Sequence, residues 1–131
     1  MTHWIVDGMN VIGSRPDGWW RDRHRAMTTL VSRLEAWKPA GDTVTVVFER
    51  PPDPPIESSV VTVRHAPRAA PDSADDEIVR LLRADAHPAD IRVATSDRTL
   101  ADRVRAAGAA VCPAERLRDL IDPRTGVDGA Q

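Results

Sequence analysis

Four sets of acidic residues punctuate this chain, each at the end of a short apolar run or the start of a helical one. Asp7 follows Trp4-Ile5-Val6, and Glu49 follows Val44-Thr45-Val46-Val47-Phe48. The trio Asp75-Asp76-Glu77 opens a periodic segment, and Asp97 follows Ile91-Arg92-Val93-Ala94-Thr95-Ser96. Carboxylates just past buried strands stand at the rim of a sheet, where open α/β folds bind their ligands. Mg²⁺ and Mn²⁺ prefer hard oxygen ligands and keep several waters, so a few converging carboxylates suffice to hold them against a phosphate. A cation held in this way lowers the pKa of bound water, orients it toward phosphorus and neutralises the leaving oxygen. Without a cation, the same carboxylates repel one another.

Each acid also has a structural reading. Asp7 can simply open a turn before Gly8, and Asn10 can turn or cap the backbone instead of orienting Asp7 or a bound water. At about 100° per residue, Ile78, Val79, Leu81 and Leu82 define the buried direction of their helix. Asp75 lies roughly 40° from that direction, and Asp76 and Glu77 lie more than about 100° away. Asp75 is therefore the first candidate of the trio and Asp76 the second. Ser73 with Asp76 also matches a helix-capping pattern. Asp97 can cap the following helix, but Ser96, or Thr99 with Asp102, can do so equally, so the helix does not need Asp97 and ligation is favoured. Glu49 is an outer-shell candidate that can equally be solvated beside Arg50.

Around the acids, Trp20 fits a helical core stripe, whereas Trp19 falls off it and is a weak base-stacking candidate. Arg15, Arg21, Arg23, Arg25 and Arg98 are candidates for phosphate contacts, although arginines on an amphipathic helix more often form a solvated face. His24 and His65 lack metal-ligand spacing. Cys112 is read as core filling.

The elements that position these residues follow from periodicity and breakers. Strands are predicted over 4–6, 43–48, 59–64, 90–95 and 109–112, the third at an edge. Helices are predicted over about 20–37, 74–84, 98–107 and 115–121. Residues 7–18 read as a loop, and the prolines at 51, 52, 54 and 55 require a rigid extended one. Strands alternating with helices imply a mostly parallel sheet of about five strands with helices on both faces. One domain over 1–121 and a disordered tail over 122–131 are expected.

A chain of 131 residues suits one domain. Its single cysteine permits no internal disulfide, and no leader or membrane-length apolar run is evident, so a cytoplasmic location without membrane contact is expected. Lys38 is the only lysine among 18 basic residues, and the net charge is −2. Nucleic-acid binding would then rest on a local patch or on cations, not on overall charge.

Four motifs in order resemble the YacP-like group of NYN domains in the PIN-like nuclease superfamily. They are Val6-Asp7-Gly8-Met9-Asn10-Val11-Ile12, Val46-Val47-Phe48-Glu49, Ser73-Ala74-Asp75-Asp76-Glu77-Ile78, and Ala94-Thr95-Ser96-Asp97-Arg98-Thr99-Leu100 with Gly108-Ala109. The resemblance spans about residues 4–121. Two positions depart from it: Thr99 stands where many relatives have a second aspartate, and Glu49 where aspartate is common. The resemblance implies a three-layer α/β/α PIN-like sandwich, a divalent-metal site and RNA cleavage in a bacterial cytosol. On this basis Asp7, Asn10, Asp75, Asp76 and Asp97 form the catalytic set, with Asp7, Asp75 and Asp97 as ligands of Mg²⁺ or Mn²⁺. Ser96 and Arg98 contact the substrate, a single-stranded or structured RNA, and the ribosome or another RNA–protein assembly is an open partner. Oligomeric state is left open. The alternative is a noncatalytic RNA-binding or scaffold module that keeps the fold. Phosphotransfer through an aspartyl nucleophile at Asp7 is disfavoured by Met9, which stands where such enzymes carry a second acid.

Overall fold

The computed structural model describes residues 1–68, 70 and 73–122. Five strands, β1 (His3–Asp7), β2 (Thr43–Phe48), β3 (Thr62–His65), β4 (Ile91–Ala94) and β5 (Ala110–Cys112), form one sheet. All pairings are parallel, in the order β3-β2-β1-β4-β5. β1 is central, with Asp7 opposite Val47 on one side and Val6 opposite Ala94 on the other. β3 lies at an edge, as expected. Its limits fall a few residues later than predicted because Ser58 ties the preceding turn, its hydroxyl accepting from the amides of Val60 and Val61.

Alternate residues of the strands feed two separate cores. On one face Trp4, Val6, Val44, Val46 and Phe48 pack against α1 (Gly8–Ile12), α2 (Arg23–Trp37) and α5 (Ala114–Ile121). On the other, Ile5, Val47, Ile91 and Val93 meet Ile78 and Leu82 of α3 (Ser73–Ala84) and Leu100 and Val104 of α4 (Arg98–Ala106). The result is a three-layer α/β/α sandwich. Each large aliphatic side chain so buried contributes roughly 1.5–3 kcal/mol.

The chain builds outward from β1 to β2 and β3, then crosses back to add β4 and β5 on the other side. The strand order thus reverses between β1 and β4. Adjacent connections leave on opposite faces there, the switch point at which open α/β sheets bind their ligands.

Three local features differ from expectation. Residues 7–18 are not all loop: α1 begins directly after β1. A helix of five residues is too short to display a 3.6-residue period. It is held by burial of Val11 and Ile12 and by Arg118, whose guanidinium donates to the carbonyls of Val11 and Ile12 at 3.2 and 3.1 Å. Next, α2 starts at Arg23, capped by the Asp22 carboxylate accepting from the Arg25 amide at 3.0 Å. Trp19–Arg21 is a separate 3-10 turn, so Trp20 is out of phase with α2. Trp20 is 49% exposed, while Trp19 packs on the core, the reverse of the predicted assignment. Finally, Asp122 belongs to the packed domain, bridged by Arg15, Arg33 and Arg118. The remainder of the predicted tail lies outside the described residues. No described helix is long and apolar enough to cross a membrane.

Candidate active site at the carboxyl edge of the sheet

Asp7 closes β1 at the carboxyl edge of the sheet, beside β4, and is only 6% exposed. The turn that places it there requires glycine next. A Cβ on Gly8 would come within 2.6 Å of the Phe48 ring and 3.1 Å of the Val47 carbonyl. Just past β4, the Thr95 hydroxyl donates to Asp7 Oδ2 at 2.9 Å and accepts from the Asp97 amide at 3.1 Å. Thr95 is itself buried, so this one hydroxyl sets both aspartates relative to each other. In the sequence Thr95 is only the end of a predicted strand. Threonine is a common strand former, and nothing in its spacing distinguishes a hydroxyl aimed at an acid.

Burial pushes the Asp7 carboxyl up to about 7, partly opposed by the Thr95 hydrogen bond and reinforced by the negative charges of Asp75, Asp97 and Glu49. The acids predicted from four separate segments therefore act on a common point. Among the described residues, no three His, Cys, Asp or Glu side chains form a ready ligand cage.

Asp97 does cap α4: its Oδ1 accepts from the Leu100 amide at 3.0 Å. The expectation that α4 would not need Asp97 is corrected, because Ser96 is engaged elsewhere, its hydroxyl accepting from the Ala114 amide at 2.9 Å. Capping and ligation do not compete, since a carboxylate has two oxygens and the cap uses one. Asn10 reaches from α1 to accept from the Ser96 amide at 2.8 Å, locking α1 to the β4–α4 turn. Arg98 is exposed, with Ser96 and Thr95 on the wall of a hollow of about 410 Å³ that Arg105 also lines.

The trio on α3 separates. Asp75 is half-buried in the first turn and contributes to the charge felt by Asp7. Asp76 is 73% exposed and pairs with Arg103 of α4 at 3.0 Å, so it is not brought to the site. Glu77, expected to point away from the core, is buried instead. Two arginines make that possible: Arg80 and Arg64 reach its carboxylate at 2.6 and 3.3 Å and hold it below the usual carboxylate range, Arg80 chiefly. Hydrophobic phase alone cannot foresee an acid buried under paired guanidinium groups.

A separate cleft of about 310 Å³ lies between the 3-10 turn, α2 and α5. Its buried Arg118 is engaged by Asp17 at 2.8 Å, Asp122 at 3.1 Å and the α1 carbonyls. This cleft is a brace for α1.

A family model for the YacP-like NYN domain matches residues 4–126. This chain belongs to the YacP-like NYN domain family. NYN domains of this family are related to PIN-like nucleases, which act on RNA. The crystal structure of Rae1 (YacP) from Bacillus subtilis superposes with a TM-score of 0.74 at 27% identity, covering 92% of this chain and 74% of that one. A tryptophan-to-leucine variant of the same protein gives a TM-score of 0.74 at 28% identity, with 92% and 75% covered. Comparison with curated proteins finds no match. The five-strand parallel sheet and its flanking helices are the YacP fold, as the motifs implied.

Proposed function

We propose that this domain is a metal-dependent endoribonuclease that hydrolyses RNA phosphodiester bonds at the β1–β4 switch point, acting in the cytoplasm. The observation that carries this reading is Asp7. A carboxyl buried at the switch point, facing the charge of three further acids and raised to about 7, is unfavourable by itself. A divalent cation would relieve that charge, so the donor set fits one. Asp7, Asp75 and Asp97 would hold it, with Glu49 further out. Mg²⁺ and Mn²⁺ retain several waters and need only a few carboxylate oxygens from the protein. Such an ion supplies a more acidic water and neutralises charge building on the phosphate.

This chain's own residues supply placement. Thr95 holds Asp7 Oδ2, which leaves Oδ1 for a ligand, and the Leu100 amide holds Asp97 Oδ1, which leaves Oδ2. Each aspartate is thereby fixed by one oxygen and offers the other. Asn10, through the Ser96 amide, keeps α1 and the β4–α4 turn in register. Arg98, exposed at the lip, offers a fork to a substrate phosphate. In the hydrolysis, a water oxygen attacks phosphorus, the ester P–O bond breaks and the leaving oxygen takes a proton.

The test is cleavage of a labelled single-stranded RNA with Mn²⁺, Mg²⁺ or chelator, alongside Asp7→Asn and Asp97→Asn. Asparagine keeps the α4 cap, so the second variant isolates charge from folding. Metal-dependent cutting lost in both variants is expected. Cutting that is equal in variants and wild type would remove the site assignment. RNA binding without cutting would instead favour a noncatalytic module.

A further inference from the structure

We propose that the groove beside the acidic site seats one unpaired nucleotide of the RNA substrate. Its base would lie on Met9 and Met27, and its phosphate between Arg23 and Arg50. The inference rests on the ribonuclease reading and names the part of the substrate next to the cut. The groove has a volume of about 360 Å³ and is formed by α1, the first turns of α2 and residues 48–53. It adjoins the site by construction. Met9 is two residues from Asp7, and Glu49 both lines the groove and adds to the charge at Asp7.

Its chemistry fits a nucleotide. Thioethers are polarisable and mould to flat faces, so a floor of Met9 and Met27 accepts the face of any base. The volume falls in the range of about 300–1,000 Å³ usual for small-ligand sites. The far wall is held: His24 Nε2 bonds the Pro54 carbonyl at 2.8 Å, and Ser58 Oγ donates to Glu35 at 2.5 Å, pinning the proline loop to α2. Arg50 is exposed and Arg23 lies over the Trp19 ring at 5.2 Å. Neither forms an ion pair among the described residues, so both forks are available to phosphate. Glu49 and Asp53, also on the lining, accept from the amino and hydroxyl donors of a nucleotide. A base stacked and paired in a duplex cannot enter a recess of this kind. The groove therefore selects unpaired RNA.

The chain has three methionines, which makes the groove directly observable. Protein carrying ¹³C-methyl methionine would be titrated by NMR, in chelator, with a single-stranded tetranucleotide RNA. The expected result is ring-current shifts of the Met9 and Met27 methyls, with Met1, 85% exposed, unmoved. A duplex should leave all three unmoved. With Mn²⁺, Arg50→Ala should raise KM about tenfold while kcat stays within about twofold, as befits a contact remote from the reacting bond. Stationary Met9 and Met27 methyls at RNA concentrations that saturate a fluorescence-anisotropy binding curve would overturn the proposal, as would equal shifts with duplex. Shifts produced by an apolar peptide but not by RNA would reassign the groove to a protein partner. Moving methyls without metal-dependent cleavage would refute the nuclease reading and leave the nucleotide seat intact.

Discussion

Replacing Asp7 by asparagine should make the metal-free protein more stable at neutral pH, by an amount that vanishes in acid. The folded carboxyl titrates at about 7, against an ordinary 3.8. Below about pH 4 it is protonated in both folded and unfolded chains, so it contributes no difference. Between about pH 4 and 7 the unfolded chain releases this proton while the folded chain keeps it, and stability falls by up to about 1.4 kcal/mol per pH unit. The accumulated penalty is at most about 4 kcal/mol, reached above pH 7. Asparagine mimics the protonated acid, still accepts from Thr95, and does not ionise. Set against a usual stability of about 5–15 kcal/mol, such a gain is large, and it corresponds to at most roughly 15 °C in Tm for a domain of this size. The assay is thermal and urea unfolding of both proteins in chelator, from pH 4 to 8.5. The two stability curves should meet near pH 4 and diverge steadily to pH 7. Adding Mn²⁺ should then favour the wild type, because an ion that binds only its folded state stabilises it by mass action. Curves that run parallel across the whole range would refute the claim that burial and neighbouring acids raise Asp7.

Other perturbations probe the parts that hold the site. Thr95→Val should cost about 1–3 kcal/mol in urea unfolding by stranding buried polar groups, and should push Asp7 still higher, whereas Thr95→Ser restores both; equal stability of Val and Ser variants would contradict the bridging role. Gly8→Ala must displace the Phe48 ring that lies 2.6 Å from the new carbon, so a loss of about 1–3 kcal/mol in thermal unfolding is expected, together with loss of cleavage. Asp75→Ala should reduce cleavage by about 100-fold or more, while Asp76→Ala, removing an exposed partner of Arg103, should stay within about threefold; the opposite order in single-turnover rates would place Asp76, not Asp75, at the site.

The parts legible in the sequence were those carried by periodic burial. Thr43–Phe48 announces a central strand because its run is apolar and β-branched, and Gly108, at φ 92°, marks the end of α4. Three of the acids were legible because each follows a sheet strand. What remained hidden depends on contacts between segments far apart in the chain. Gly8–Ile12 is helical because Arg118, more than a hundred residues away, occupies its terminal carbonyls. Glu77 is buried because Arg80 of the same helix and Arg64, arriving from β3, both pair with its carboxylate. Asp97 caps α4 with one oxygen and keeps the other free of that cap, a division that sequence position alone does not show.

The placement of Asp7 follows from these same contacts. A buried acid that titrates near 7 works against folding, so it persists only on an element the rest of the molecule over-determines. β1 is that element. It is paired along all five of its residues with β2 and along four with β4, and it feeds both cores, through Trp4 and Val6 on one face and Ile5 on the other. An edge strand such as β3, paired on one side only, lacks that support. The charge least tolerated by folding therefore sits on the strand best able to hold it, at the point where the sheet's connectivity leaves room for a ligand to neutralise it.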